Sequence, residues 1–234
     1  MIAQLSLLAR CPCGAPLDRP QGPGRPPETC ADCRENPSDS EAGARYLSPS
    51  GALVASETAH RARLWRRWAP GPRVAFVGLN PSTATAEVTD RTFSRCLGYA
   101  RSWGFGGLEM LNLWPIRSTD PAGLWEALER PEDRAWMERG ADLGIRQALR
   151  EGVRLVVLAS GPGSKGRAPH REMVQRRLQA VAGLVQGLGL PLGALTVAKG
   201  PAPGHPLYLP GDLRPRRWEP GREALGPEIL LPID

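Results

Sequence analysis

The sequence predicts an α/β protein of three layers, α/β/α, with a four-stranded parallel sheet and a small cysteine-rich arm ahead of it. Three observations carry that expectation. Four short apolar runs, at residues 73–78, 108–113, 153–159 and 192–198, are rich in Val and Leu and bounded by turn residues. That is the pattern of strands buried on both faces. Helical segments separate them, at about residues 89–103, 120–129, 131–150 and 169–187, and strand–helix alternation gives a parallel sheet with helices on both faces. Finally, Cys11, Cys13, Cys30 and Cys33 all fall before this alternation begins.

The chain divides accordingly into residues 1–43, the arm and its linker, residues 44–210, the α/β domain, and residues 211–234, a Pro/Arg-rich tail expected to wrap the surface. In the arm, C-x-C and C-x-x-C flank a Pro/Gly-rich loop. Four thiolates in two close pairs suit a structural zinc ion, which would staple a segment too small for a core of its own. Two disulfides or an iron–sulfur cluster are the competing readings. The fifth cysteine, Cys96, lies on the apolar face of a predicted helix with Phe93, Leu97 and Ala100, and is expected to be a core thiol.

Residues 60–68 read HRARLWRRW. They are expected to form an edge strand that turns at residues 69–72 and pairs with residues 73–78, with Trp in the core and Arg in solvent. Alternatively, Arg61, Arg63, Arg66 and Arg67 meet phosphate while Trp65 or Trp68 stacks on a base. The stretch RVAFVGLNPSTA follows. Gly78 ends its strand and Pro81 fixes the turn, which places Asn80 at the carboxyl end of a central strand, where open α/β sheets bind ligands. Thr89 or Asp90 caps the next helix. The run LEMLNL then ends on Asn112 and Leu113, with Trp114 to Ser118 as its exit loop.

Composition bounds the function. The chain has 234 residues and a net charge of +6; only Lys165 and Lys199 of its 30 cationic residues are Lys, so 28 are Arg. Arg suits bidentate phosphate contacts, but an Ala-, Gly- and Pro-rich chain also points to GC-rich coding, so the charge permits nucleic acid without requiring it. No apolar run approaches the roughly 20 residues of a membrane span, and the first residues lack the features of a signal peptide. A soluble, cytoplasmic monomer with no membrane partner is expected.

Several chemistries find no motif. Residues 161–166 (GPGSKG) match G-x-G-x-x-G, but Pro169 delays the helix that should receive a pyrophosphate. There is no Walker motif, no G-x-S-x-G elbow and no catalytic metal spacing, so no catalytic cofactor is expected. Asn80, Asn112 and His205 remain, each at or just after a predicted strand. Two amides and an imidazole orient water, read a planar base edge and stabilise a developing oxyanion. Asn80 and Asn112 tying down loop backbones is the plainer alternative.

The segment Gly78-Leu79-Asn80-Pro81 resembles the first motif, G-[IM]-N-P-G, of the uracil-DNA glycosylase superfamily. Asn112-Leu113-Trp114-Pro115 resembles the strand end with which those enzymes read a pyrimidine, and Gly204-His205-Pro206 resembles their late His-Pro motif. Taken together, LNPSTA, the NLW stretch and HPLYLP resemble a bacterial family of unknown function, domain-of-unknown-function family 1643, over about residues 60–210. The superfamily resemblance implies a uracil-DNA glycosylase-like fold and hydrolysis of an N-glycosidic bond of a damaged or modified base in nucleic acid, most naturally in DNA repair. It implies that Asn80 holds the attacking water, that Asn112 pairs with the base and that His205 donates to the base carbonyl. Leu207 or Tyr208 would fill the gap left by a flipped base, and Gly78, Leu79, Pro81, Ser82, Trp114 and Pro206 would complete the substrate site. Phe76 or Trp114 would supply the aromatic shelf. Arg117, Lys165, Arg167 and Arg171 are the expected nucleic-acid contacts. Ser82 stands where the superfamily has Gly, and Leu207 where it has Ser. A non-catalytic nucleic-acid-binding protein and an enzyme acting on free nucleosides or nucleotides are the alternatives.

Overall fold

A computed structural model describes residues 50–56, 60–86, 88–118, 121–161, 168–197 and 202–230. The four arm cysteines, Lys165 and Arg167 lie outside them. In order, the elements are β1 (Ser50–Ser56), β2 (His60–Arg67), β3 (Arg73–Gly78), α1 (Arg91–Ser102), β4 (Gly107–Asn112), α2 (Pro121–Ala127), α3 (Pro131–Arg150), β5 (Val153–Leu158), α4 (Ala168–Gln186), β6 (Leu192–Ala194), a 3₁₀ turn (Pro206–Tyr208) and β7 (Arg216–Arg217).

The strands form one mixed sheet in the order β1-β2-β4-β3-β5-β6-β7. The expected parallel strands are its centre: β3 pairs in parallel with β4 and β5, and β5 with β6. The sheet is nevertheless not a four-stranded parallel one. Among the described residues it has seven strands, with β1–β2, β2–β4 and β6–β7 antiparallel. The additions come from segments outside the strand–helix alternation, which needs no crossover helix to pair antiparallel. The strand expected at residues 192–198 ends at Ala194. The segment read as a tail supplies β7, and Trp218 beside it is buried in the core.

The reading of residues 60–68 is corrected twice. β2 pairs with β1 and β4, not with β3. The β2–β3 link crosses the start of β4, with the amides of Trp68 and Ala69 donating to the Gly106 carbonyl and the Gly106 amide to Pro72. A Cβ on Gly106 would meet the Ala69 carbonyl at 2.5 Å, so the crossing needs glycine there. The burial is also the reverse of that expected: Arg61 and Arg63 are buried, whereas Trp65 and Trp68 are half-buried. β1 covers the edge that β2 would otherwise expose to water.

Arg63 is buried because Glu109 on β4 is buried with it. Its Nε donates to Glu109 Oε2 at 2.7 Å and its Nη2 to Oε1 at 2.9 Å, and Nη2 also reaches Glu151 Oε2 at 2.6 Å. Arg73 Nη1 donates to the same Glu109 carboxylate. Burial disfavours the Arg63 charge, but its bonds to Glu109 and Glu151 raise its pKa overall; burial holds Arg73 down to about 10.

Two apolar clusters cover the two faces. Ala75, Val77, Leu111, Val156 and Leu158 pack with α2, α3 and α4; Val74, Phe76, Leu108, Met110, Leu155 and Val157 pack with α1. Asp90 caps α1 by accepting from the Phe93 amide at 2.7 Å. Cys96 is a buried thiol on the α1 face, and burial pushes its pKa up. Among the described residues, no helix is long and apolar enough to cross a membrane.

Candidate functional site

Register places the site. Gly78 pairs with Asn112, and Val77 with Leu158, so Asn112, Gly78 and Ala159 form a row across the carboxyl ends of β4, β3 and β5. By strand alternation this row faces α1, next to Met110, Phe76 and Val157. Asn112 brings the row's polar side chain. Its neighbours are a glycine and an alanine, and above them lies a cavity of about 380 Å³. Asn80, Asn112 and His205 all line it.

Each is held differently. The β3 and β4 exit loops are zipped together, with Leu113 N donating to Gly78 O at 2.9 Å and Trp114 N to Leu79 O at 3.2 Å. Asn80 Nδ2 joins this zipper, donating to the carbonyls of Pro81 (3.2 Å), Ile116 (3.4 Å) and Ser118 (2.9 Å). The loop-tying role is therefore real for its nitrogen. It also fixes the amide plane, and Oδ1 accepts no hydrogen bond among the described residues. Below the loop, buried Arg177 on α4 donates from Nε to the Leu113 carbonyl at 2.9 Å and is paired with Asp142.

Asn112 ties down nothing among the described residues. It is 4% exposed, and its Nδ2 is buried without a hydrogen-bond partner among them. A buried unsatisfied amide costs about 1–3 kcal/mol. Its Oδ1 would lie 2.9 Å from a Cβ on Gly78, so glycine there is what lets the side chain occupy this place.

His205 is set by a local cap. Its Nδ1 accepts from the Leu207 amide at 3.3 Å as the 3₁₀ turn begins. An accepting Nδ1 leaves the ring proton on Nε2, so the imidazole is a donor. Burial lowers its pKa, with Asp90 acting in the opposite direction. Gly161, at φ +71°, would bring a Cβ within 3.2 Å of His205 Cβ, and one on Gly204 would meet Thr196 Oγ1 at 2.1 Å. Both glycines let neighbouring loops close on the histidine.

Gly78, Leu79, Pro81, Ser82, Pro206, Leu207 and Tyr208 also line the cavity, and Tyr208 is 82% exposed at its rim, its ring 5.7 Å from that of His205. Trp114 does not reach it. Its side chain is fully buried against Trp125 on the opposite face, because β4 ends at Asn112 and the exit loop no longer follows strand alternation. Phe76 is not the shelf either: it stacks in the core on Trp103 and Tyr99. Phe93, three residues past the α1 cap, lines the cavity together with the rings of His205 and Tyr208. Arg117 is half-buried and donates to the carbonyls of Ser82 and Thr83, each at 3.5 Å, while Arg171 is exposed on α4.

The residue most badly placed by the sequence reading is Arg61. It lines the cavity and is 4% exposed. Its Nη1 donates to the Ala84 carbonyl, and its Nε is buried without a partner among the described residues. Its pKa is lowered to about 10, chiefly by burial and also by the nearby Arg117, with Asp90 acting in the opposite direction. A strand-edge count could have found it. An antiparallel β2 beside β4 starts where β4 ends, and the Arg61 amide donates to Pro115 O at 2.7 Å.

The architecture so described is that of a mixed α/β protein with a cavity at its parallel strand ends. Residues 61–207 match the family described as "Protein of unknown function (DUF1643)", and the chain belongs to it. No curated protein and no solved structure matches the chain.

Proposed function

We propose that the chain hydrolyses the N-glycosidic bond of a damaged or modified nucleotide. One observation carries the reading: Asn80, Asn112 and His205, from the β3 exit loop, the end of β4 and the loop beyond β6, line one cavity, each with a hydrogen-bonding atom that no described residue engages. Asn80 Oδ1 would accept from a water and aim it at the sugar carbon. Asn112 Nδ2 would donate to a carbonyl of the base, ending its own isolation. His205 Nε2 would donate to the base as the bond breaks. The new bond joins water oxygen to the sugar carbon, the electrons of the broken bond leave with the base, and the proton lost by water balances the charge on that base. Such a donor acts strongly in a dry, preorganised site, and removing one typically costs about 100- to 1000-fold in rate. Phe93 offers a ring for stacking.

The superfamily resemblance, the exposed Tyr208 and the Arg-rich surface favour nucleic acid, in particular DNA, as the carrier of the base. The arm cysteines would hold a structural zinc. The test is incubation with oligonucleotides bearing deaminated or alkylated bases and with the matching free nucleotides, with released base measured by chromatography. Base release that falls at least 100-fold in Asn80→Ala and His205→Ala, with folding intact, is the expected result. No release from any member of the panel, or full activity in an Asn80→Ala His205→Ala double variant, overturns the reading.

A further inference from the structure

The described part of the chain buries four arginines, and three of them are answered. Arg63 and Arg73 share Glu109, and Arg177 has Asp142. Arg61 has no ion pair among the described residues. Its side chain makes one hydrogen bond, to a neutral carbonyl. Burying a charge so poorly answered costs several kcal/mol, and folding alone gives no reason to retain it. Among the described residues Asp90 is the carboxylate that acts on it, but Asp90 Oδ1 accepts from the Phe93 amide and Oδ2 from the Ala84 amide. Arg117 adds a second positive charge to the same surroundings. Among the described residues, the charged groups acting on this end of the cavity are therefore two cations and one carboxylate already engaged. The unpartnered Asn112 Nδ2 is a neutral donor in the same cavity.

We infer that the cavity is an anion-receiving site, and that its ligand carries a terminal phosphomonoester or carboxylate which seats on the Arg61 guanidinium beside the Asn112 amide. The anionic group is terminal because Arg61 is almost wholly enclosed. An internal phosphodiester would need the chain to enter and leave the same cavity of about 380 Å³. Guanidinium is the side chain suited to both oxyanions, since its fork bonds two oxygens at once. The inference concerns binding and stands whether or not a glycosidic bond is cut.

The test is calorimetric titration of the full chain at low salt. The probes are inorganic phosphate, acetate, deoxyuridine 5′-monophosphate, a nucleoside with a carboxylate on its base, and neutral deoxyuridine. At least one anionic nucleoside probe should bind tenfold or more tighter than deoxyuridine, and the phosphate and carboxylate arms identify the source of the anion. Arg61→Met keeps much of the side-chain bulk and should abolish that preference. The unliganded variant should also melt higher than wild type, by about 2–4 °C, because an uncompensated buried charge is gone. A purely structural Arg61 would lower the melting temperature instead. Arg61→Lys serves if Arg61→Met does not fold, and should keep the preference while weakening it. Equal binding of charged and neutral probes, or no binding of any anionic probe at millimolar concentration, overturns the inference. So does a preference that survives Arg61→Met.

Discussion

Replacing Gly78 by Ala isolates the contact on which the site depends. The added Cβ would lie 2.9 Å from Asn112 Oδ1 and 3.9 Å from the Leu111 carbonyl. Ordinary contact begins near 3.4 Å, so only the Asn112 amide is in the way, by about 0.5 Å. Overpacking a buried site costs about 1–3 kcal/mol. Here the amide can yield into the cavity, so the lower end, about 1 kcal/mol, is expected; in a domain of this size that lowers the melting temperature by about 2–4 °C. Gly78 does not have a positive φ, so alanine meets no backbone strain and restricts the unfolded chain, an effect that stabilises by about 0.4–1 kcal/mol. The two effects separate in a double-mutant cycle. Gly78→Ala should destabilise the wild type but be neutral or stabilising in Asn112→Ala, where the obstructing amide is absent. Thermal and urea unfolding of the four proteins gives the coupling, expected at about 1 kcal/mol. An equal effect of Gly78→Ala in both backgrounds would refute the reasoning. Under the proposed hydrolysis, displacing the amide should also cost up to about 100-fold in base release, the usual penalty for a misplacement near 1 Å.

Three further outcomes follow from the geometry. Glu109→Gln leaves Arg73 buried without its carboxylate and Arg63 with Glu151 alone, and should cost about 3–5 kcal/mol in urea unfolding. Gly204→Ala drives a Cβ onto Thr196 Oγ1 and should destabilise by about 1–3 kcal/mol, with much of the loss recovered in a Thr196→Ala background. Burial lowers the pKa of His205 and of His60 from 6.5. Below that value the unfolded chain takes up protons that the folded chain does not, so stability should fall as pH drops from 6.5 through the lowered values and then level off. His205→Gln should make that slope shallower in unfolding curves collected from pH 7 downwards.

The central strands were legible because burial on both faces leaves a simple mark: RVAFVG and VRLVVL have room for little but apolar side chains. Their exit loops were legible too, since Gly78, Pro81, Gly204 and Pro206 break the pattern where the sheet ends. Burial pattern was a poorer guide at Glu109. A carboxylate inside an apolar run carries no local sign that arginines 46 and 36 residues away will close around it. Trp114 illustrates a different limit. It is two residues past Asn112, but the chain has left the strand by then, so alternation no longer decides which face its side chain takes.

Arg61 shows why part of the site stayed out of sight. In a parallel sheet the ligand edge is found by looking at where strands end, and that rule leads to Asn80, Asn112 and, through the loop beyond β6, His205. β2 runs the other way. Its first residues lie at the edge where its neighbours finish, so a search confined to strand ends passes over them. The charge of HRARLWRR then favours a solvated edge strand, which is the right inference for an uncovered one. β1 changes the outcome by covering the outer side of β2 with a second antiparallel strand. Arg63 thereby becomes an internal cation answered by Glu109, whereas Arg61, two residues nearer the ligand edge, comes to line the cavity without an ion pair among the described residues. The same antiparallel addition that departs from the expected sheet is what brings a positive charge to the row of Asn112, Gly78 and Ala159.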